Sequence, residues 1–134
     1  MTDGRINSYR ELRVWQEAMA IARACYGLTK SFPKDEIYGM TSQIRRAATS
    51  LAANIAEGHG RENTGSFIQF LRIAQGSLKE LETHLLLAEQ VQIAKSSGTE
   101  PILMQCESLG KMLRSLIRSL REKTARASRK PVDG

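Results

Sequence analysis

Apolar side chains recur at steps of three and four along nearly the whole chain, the period of an amphipathic helix. Over residues 8–31 one row runs Leu12, Trp15, Met19, Ala22, Tyr26 and a second runs Val14, Ala18, Ile21, Cys25, Leu28. Ser8, with Glu11 three residues on, predicts a capping box at the start. Pro33 disfavours helix in the residue before it and predicts the end near Phe32. Two adjacent rows make a face wider than the stripe of about 100° that a surface helix needs. This helix is therefore expected to touch more than its own bundle.

A second helix is predicted over residues 36–57, capped by Asp35, with Ile37, Met40, Ile44, Ala47, Leu51 and Ile55 inward. Small residues crowd it (Ala47, Ala48, Ser50, Ala52, Ala53, Ala56), so another helix can approach closely, and Gly58 and Gly60 are expected to stop it. A third runs over residues 64–94 through Phe67, Leu71, Ala74, Leu78, Leu81, Leu85 and Ala88, breaking near residues 95–98. A fourth covers residues 99–125, capped by Thr99 or Ser97, with Pro101 in its first turn. Its inward row is Ile102, Cys106, Leu109, Leu113, Leu116, Ile117 and Leu120. No strand-like alternation competes. The pattern predicts an all-α, antiparallel up-down-up-down four-helix bundle over residues 9–125. A flexible N-terminus over residues 1–8 and a basic disordered tail over residues 126–134 are expected to flank it.

A chain of 134 residues can bury a core without a metal or disulfide staple. Its only cysteines, Cys25 and Cys106, lie far apart and read as free core thiols. No run is long and apolar enough to span a bilayer, and the N-terminus has no apolar signal core, so the cytoplasm is the expected compartment. The net charge is +6, and its placement matters more than its size. Residues 1–110 hold 12 basic and 12 acidic side chains; residues 111–134 hold eight basic and two acidic. Lys111, Arg114, Arg118 and Arg121 recur at steps of three and four and form a ridge; Lys123, Arg126 and the basic tail follow it. Two readings stand: cations opposing the helix macrodipole and aiding solubility, or a contact for a polyanion.

Catalytic and metal motifs are missing. A helical di-iron site needs Glu-x-x-His pairs, but Leu81 and Ala56 stand three residues before His84 and His59. No zinc spacing occurs, and the glycines around His59 do not form a phosphate loop. His84 is read as a partner of Glu80 one turn earlier, and His59 as a cap in the glycine loop. No metal and no cofactor are expected.

Residues 41–62, TSQIRRAATSLAANIAEGHGRE, and residues 66–82, SFIQFLRIAQGSLKELE, together resemble the four-helix-bundle proteins encoded in intervening sequences of bacterial 23S rRNA genes, often labelled S23 ribosomal proteins. The strings LRVWQEA at 12–18 and LGKMLRSLIRSL at 109–120 are similar too. The chain departs from the usual acidic stretch in the link over residues 89–101. The resemblance implies an antiparallel four-helix bundle, assembly as a homopentamer, and similarity to the accessory variability determinant protein of diversity-generating retroelements, which binds nucleic acid and a reverse transcriptase.

Within the shared motif, Arg45 and Arg46 point about 100° apart. One is expected to face a neighbouring helix and pair with a carboxylate such as Glu57 or Glu82, the other to face solvent or phosphate. Asn54, Glu57 and Gly58 are read as structural, since bundles use such points to fix register; Glu57 is expected to hold Arg61 or a partner subunit. Arg61 and Arg72 stay open between solvent and phosphate. The resulting expectation is a non-enzymatic, self-assembling bundle that binds RNA or DNA through Lys111, Arg114, Arg118, Arg121, Lys123 and Arg126, with Arg61 and Arg72 as further candidates. The alternatives are a module docking an acidic protein partner and an enzyme with an unrecognised site.

Overall fold

The computed structural model describes residues 8–128. It holds four α-helices: α1 (Arg13–Thr29), α2 (Met40–Gly60), α3 (Thr64–Gln90) and α4 (Ser96–Ser128). Each packs on two neighbours in the ring order α1, α2, α3, α4 and back to α1. Thr29 meets Arg45, and Gly58 lies against Phe67 and Phe70. Thr99 meets Glu89, and Gly98 lies against Leu28. Late residues of each helix thus face early residues of the next, so all four neighbours run antiparallel, as the apolar periodicity predicts. The core is a continuous cluster that includes Ile21, Ile44, Leu51, Ile55, Leu71, Leu81, Leu85, Leu109 and Leu113, all fully buried. Each such side chain contributes roughly 1.5–3 kcal/mol.

The helix ends differ from the sequence expectations, each for a local reason. Tyr9–Glu11 form a separate 3-10 turn, and Leu12 is extended, so α1 proper starts at Arg13. Ser8 caps that short turn by accepting from the Arg10 N–H at 3.1 Å. Lys34–Glu36 form a second 3-10 turn. Glu36, not Asp35, caps α2, its Oε1 accepting from the Met40 N–H at 3.0 Å. Gly58 does not stop α2, which runs through it and ends on Gly60. Asn63 caps α3, its side chain accepting from the Ser66 N–H.

α3 ends four residues before the expected 94. Gln92 takes a left-handed φ of 66°, its N–H bonds the Glu89 carbonyl, and the Ile93 N–H reaches back to the Ala88 carbonyl. That is a Schellman stop with glutamine where glycine is usual. α4 then begins at Ser96, so Ser97 and Thr99 lie inside it and Pro101 falls in its second turn, where one bond to the Ser97 carbonyl is forgone. Thr99 is buried and donates instead to Glu89 Oε2 at 2.8 Å, pinning α4 to α3. At the far end α4 continues helical to Ser128, so the tail expected over residues 126–134 begins as helix. Residues 129–134 and the N-terminal expectation for residues 1–7 lie outside the described residues.

Two close approaches set the α2–α3 register. A Cβ at Gly58 would stand 2.5 Å from the Cβ of Phe70, so only glycine admits α3 there. Two turns earlier the Ser50 and Ser77 hydroxyls bond at 2.9 Å, and the Asn54 amide donates to the Ser50 carbonyl and hydroxyl. Gly58→Ala is expected to cost about 1–3 kcal/mol through overpacking, seen as a lower urea midpoint. Gln92→Gly is expected to raise stability by roughly 0.5–1 kcal/mol by relieving the left-handed strain, with the denaturant slope unchanged.

Candidate nucleic-acid interface

α4 carries the basic ridge because its inward row, Ile102, Cys106, Leu109, Leu113 and Ile117, is anchored in the core. Positions on the opposite side of the helix face out. Lys111, Arg114, Arg118, Arg121, Lys123 and Arg126 are all exposed. Lys111 has a carboxylate near it, Glu107 at 3.8 Å on an exposed pair, a contact of little energetic weight. Among the described residues the other five have no carboxylate within ion-pair distance. Arg118 and Arg121 share a shallow hollow of about 430 Å³ with Glu122 and Ala125. Lys123 lies with Thr124 and Ala127 beside Asn63, Thr64 and Gly65 at the start of α3. The exposed cations of α4 therefore run from mid-bundle to the end where α2 hands over to α3, with Lys123 on a different side of the helix from Arg121.

Arg61 belongs to that same end but is already engaged. Its Nη2 bonds Glu57 Oε2 at 3.0 Å, and its guanidinium lies 5.1 Å from the centre of the Phe70 ring. Arg72 is exposed on α3, a different helix from the ridge. Arg46 is exposed, whereas Arg45 is half-buried against α1. The carboxylate partner expected for whichever arginine faces a neighbouring helix is absent among the described residues: Glu57 is held by Arg61 and Glu82 by Lys79 at 3.0 Å. Arg45 instead donates through Nε to the Thr29 hydroxyl at 2.8 Å and covers the Tyr26 ring at 4.5 Å, a cation–π contact. The Thr29 hydroxyl donates in turn to the Cys25 carbonyl, so this buried polar point is satisfied.

His59 sits in the last turn of α2 with its ring edge-to-face on Phe67 at 5.7 Å, a packing role in place of the expected loop cap. His84 Nε2 lies 3.4 Å from Glu80 Oε1, as the i,i+4 spacing predicts. Among the described residues no group of three His, Cys, Asp or Glu side chains could hold a metal ion, and no helix is long and apolar enough to cross a membrane.

One feature lay only half visible in the sequence. Trp15, Met19 and Tyr26 of α1 face Ala52, Ala53 and Ala56 of α2 across an open groove of about 610 Å³. Tyr9 closes one end, edge-to-face on Trp15 at 5.3 Å. The wide apolar face of α1 signalled this surface; the cationic rim of Arg23 and Lys30 did not stand out. Of the crowded small residues of α2, Ala47 and Ala48 lie in the chain's own core, Ala53 and Ala56 reach the groove, and Ala52 borders both.

Both cysteines are buried and free. Burial pushes each thiol up to about 12 from an ordinary value of 9.0. Above about pH 9 the unfolded chain ionises them while the folded chain keeps them neutral. The unfolded state then holds fewer protons, so this contribution to stability falls as pH rises from about 9 to about 12. Both thiols are expected to resist an aromatic disulfide reagent at about pH 8 while the chain is folded and to react together in guanidinium. Prompt labelling of two thiols in the native protein would contradict this.

The chain is similar to a solved structure from Bacteroides thetaiotaomicron VPI-5482, a protein of unknown function from the S23 ribosomal protein family. The two share 26% identity at a TM-score of 0.69, covering 78% of this chain and 97% of that one. Comparison with curated proteins gives no match. The family described as 23S rRNA-intervening sequence protein matches residues 10–115, a span that takes in α1 to α3 and more than half of α4, and the chain belongs to that family.

Proposed function

We propose that this protein is a non-enzymatic, self-assembling helical bundle, a homopentamer, that binds RNA or DNA electrostatically through the α4 ridge. One observation carries the reading. Between Lys111 and Arg126 six cations stand exposed on one helix against a single acid, Glu122. Solubility does not require such segregation, since the other 110 residues balance their charges. A phosphate backbone matches an extended row of cations, and binding releases condensed counterions. Aromatic side chains are absent from residues 111–128, so base stacking has no platform there and little sequence preference follows. The family's name ties its members to 23S rRNA intervening sequences, which favours RNA as the polyanion. Fivefold assembly follows from the resemblance, and the open α1–α2 groove supports self-association. Five copies at +6 each carry about +30, raising avidity without new contacts.

Fluorescence anisotropy with a labelled RNA duplex, a single strand and a DNA duplex tests this. If six phosphates are neutralised, affinity is expected to fall about a thousandfold between about 50 and 200 mM salt. Arg114→Glu with Arg118→Glu is expected to weaken binding at least about tenfold while the melting temperature holds, since both positions are exposed. Binding that ignores ionic strength overturns the reading. Capture of an acidic protein that survives nuclease treatment, with no measurable RNA affinity, would assign the ridge to a protein partner instead.

A further inference from the structure

We propose that the α1–α2 groove receives the outer face of α3 from a second copy of this chain, so that the copies join head to tail. The inference rests on the self-assembly read above and names the two surfaces that make it.

Glycines point to both surfaces. Gly58 and Gly110 have partners inside the chain, Phe70 and Leu78. Among the described residues Gly27 and Gly76 have none: a Cβ at either would meet nothing within 4 Å, and both are exposed in helix interiors, whereas the equally open Gly60 is the last residue of α2. Glycine in such a place costs roughly 0.5–1 kcal/mol relative to alanine, and nothing among the described residues offsets it. Close approach by another backbone is the usual use of a bare helix surface. Gly27 lies in the wall of the groove. Gly76 lies on α3, one turn from Ile73 and Glu80.

The α3 surface around Gly76 suits the groove. Ile73, Glu80 and Leu87 follow at intervals of seven and share one face with Gly76. Ile73 is 46% exposed, Leu87 44%, and Val91, one turn further, 52%. These are large side chains left on an unpartnered strip. The charges match as well. The groove's only ionisable cations are Arg23 and Lys30, with no acid in its lining. The α3 strip presents the Glu80 carboxylate, whose one side-chain partner among the described residues is His84 at 3.4 Å.

Symmetry selects between copies meeting groove to groove and groove to strip. Groove against groove would bring Arg23 and Lys30 of both copies together, an unfavourable like-charge contact. Groove against strip pairs them with Glu80. Such a contact joins unlike patches, so it is heterologous, and it closes into a ring when the rotation permits. Ser77, which bonds Ser50 of α2, lies one turn from both Ile73 and Glu80. The strip thus runs on the α2 side of the outer face of α3, and groove and strip occupy adjoining sides of the bundle.

The test is the mass in solution by light scattering, with circular dichroism to verify the fold. Gly27→Arg spoils the groove and leaves the strip. Gly76→Gln combined with Glu80→Arg spoils the strip and leaves the groove. Each substitution installs a good helix former where space is open, so the folded monomer should be at least as stable. Each variant alone is expected to fall to a mass near 14.9 kDa. Mixed, they are expected to give a species of twice that mass and nothing larger, because one intact groove and one intact strip remain per pair. Wild-type protein that is itself monomeric at 14.9 kDa overturns both self-assembly and this pairing. Wild type that assembles while either variant keeps the wild-type mass overturns the pairing alone, as does a mixture that stays monomeric.

Discussion

The distance at which α3 can lie on α2 governs the remainder of the bundle. Gly58 lets the two backbones close to the point where a Cβ would collide with Phe70. The Ser50–Ser77 bond, two turns away, permits one register and no other at that separation. A shift to either neighbouring register would break that bond, at a cost of about 0.5–1.5 kcal/mol. The consequence passes along the chain. α3 in its turn fixes α4 at two points, the Thr99 hydroxyl on Glu89 and the flat back of Gly110 against Leu78. With α4 so placed, its apolar row faces the core and Lys111 to Arg126 face water. The basic ridge is therefore a result of register set on two helices that do not carry it.

Arg45 and Arg46 show how one string divides between structure and surface. Residue i and residue i+1 on a helix cannot both face a neighbour. Arg45 is spent on Thr29 and Tyr26, where an Nε bond to a hydroxyl and the aromatic face together replace its water. A carboxylate partner there would have placed two charges in a half-buried seam, where desolvation rivals the attraction. The hydroxyl and the ring give the guanidinium a seat without importing a second charge. Arg46 is left with solvent. Of the basic residues in the family string, then, one holds α1 against α2 and is not available for phosphate.

Much of the architecture was legible in the sequence. The helical period names the inward rows, and the core residues Ile44, Leu51, Leu71, Leu85, Leu109 and Leu113 lie where it puts them. Helix ends were less legible, because they depend on contacts outside the local string. Gly58 reads as a stop signal in sequence, but Phe70 lies over it and turns it into a packing site inside a continuing helix. Gln92 gives no hint of a left-handed residue, since backbone bonds to Glu89 and Ala88 impose it. Leu12 reads as part of the first apolar row, yet its extended backbone separates the Tyr9–Glu11 turn from α1 and lets Tyr9 fold onto Trp15. The ridge was fully visible as spacing, because exposure on α4 follows directly from the opposite apolar row. The groove was visible only as an excess of apolar width on α1; its cationic rim and alanine floor come from two helices whose pairing no single window displays.

Charge segregation ties the two proposed roles together. Assembly through α4 would bury up to six cations with one acid among them, and unpaired charge taken out of water is costly. Assembly through the groove and the α3 strip leaves α4 outside the contact. The surfaces brought together then belong to the charge-balanced first 110 residues. Repulsion between neighbouring ridges is screened over a Debye length of about 8 Å at physiological salt, and a bound polyanion would neutralise what remains. In the proposed assembly a phosphate backbone lying along several ridges at once would therefore stabilise the ring as well as bind to it. By linkage, anything that favours the ring must raise the affinity for that polyanion by the same factor.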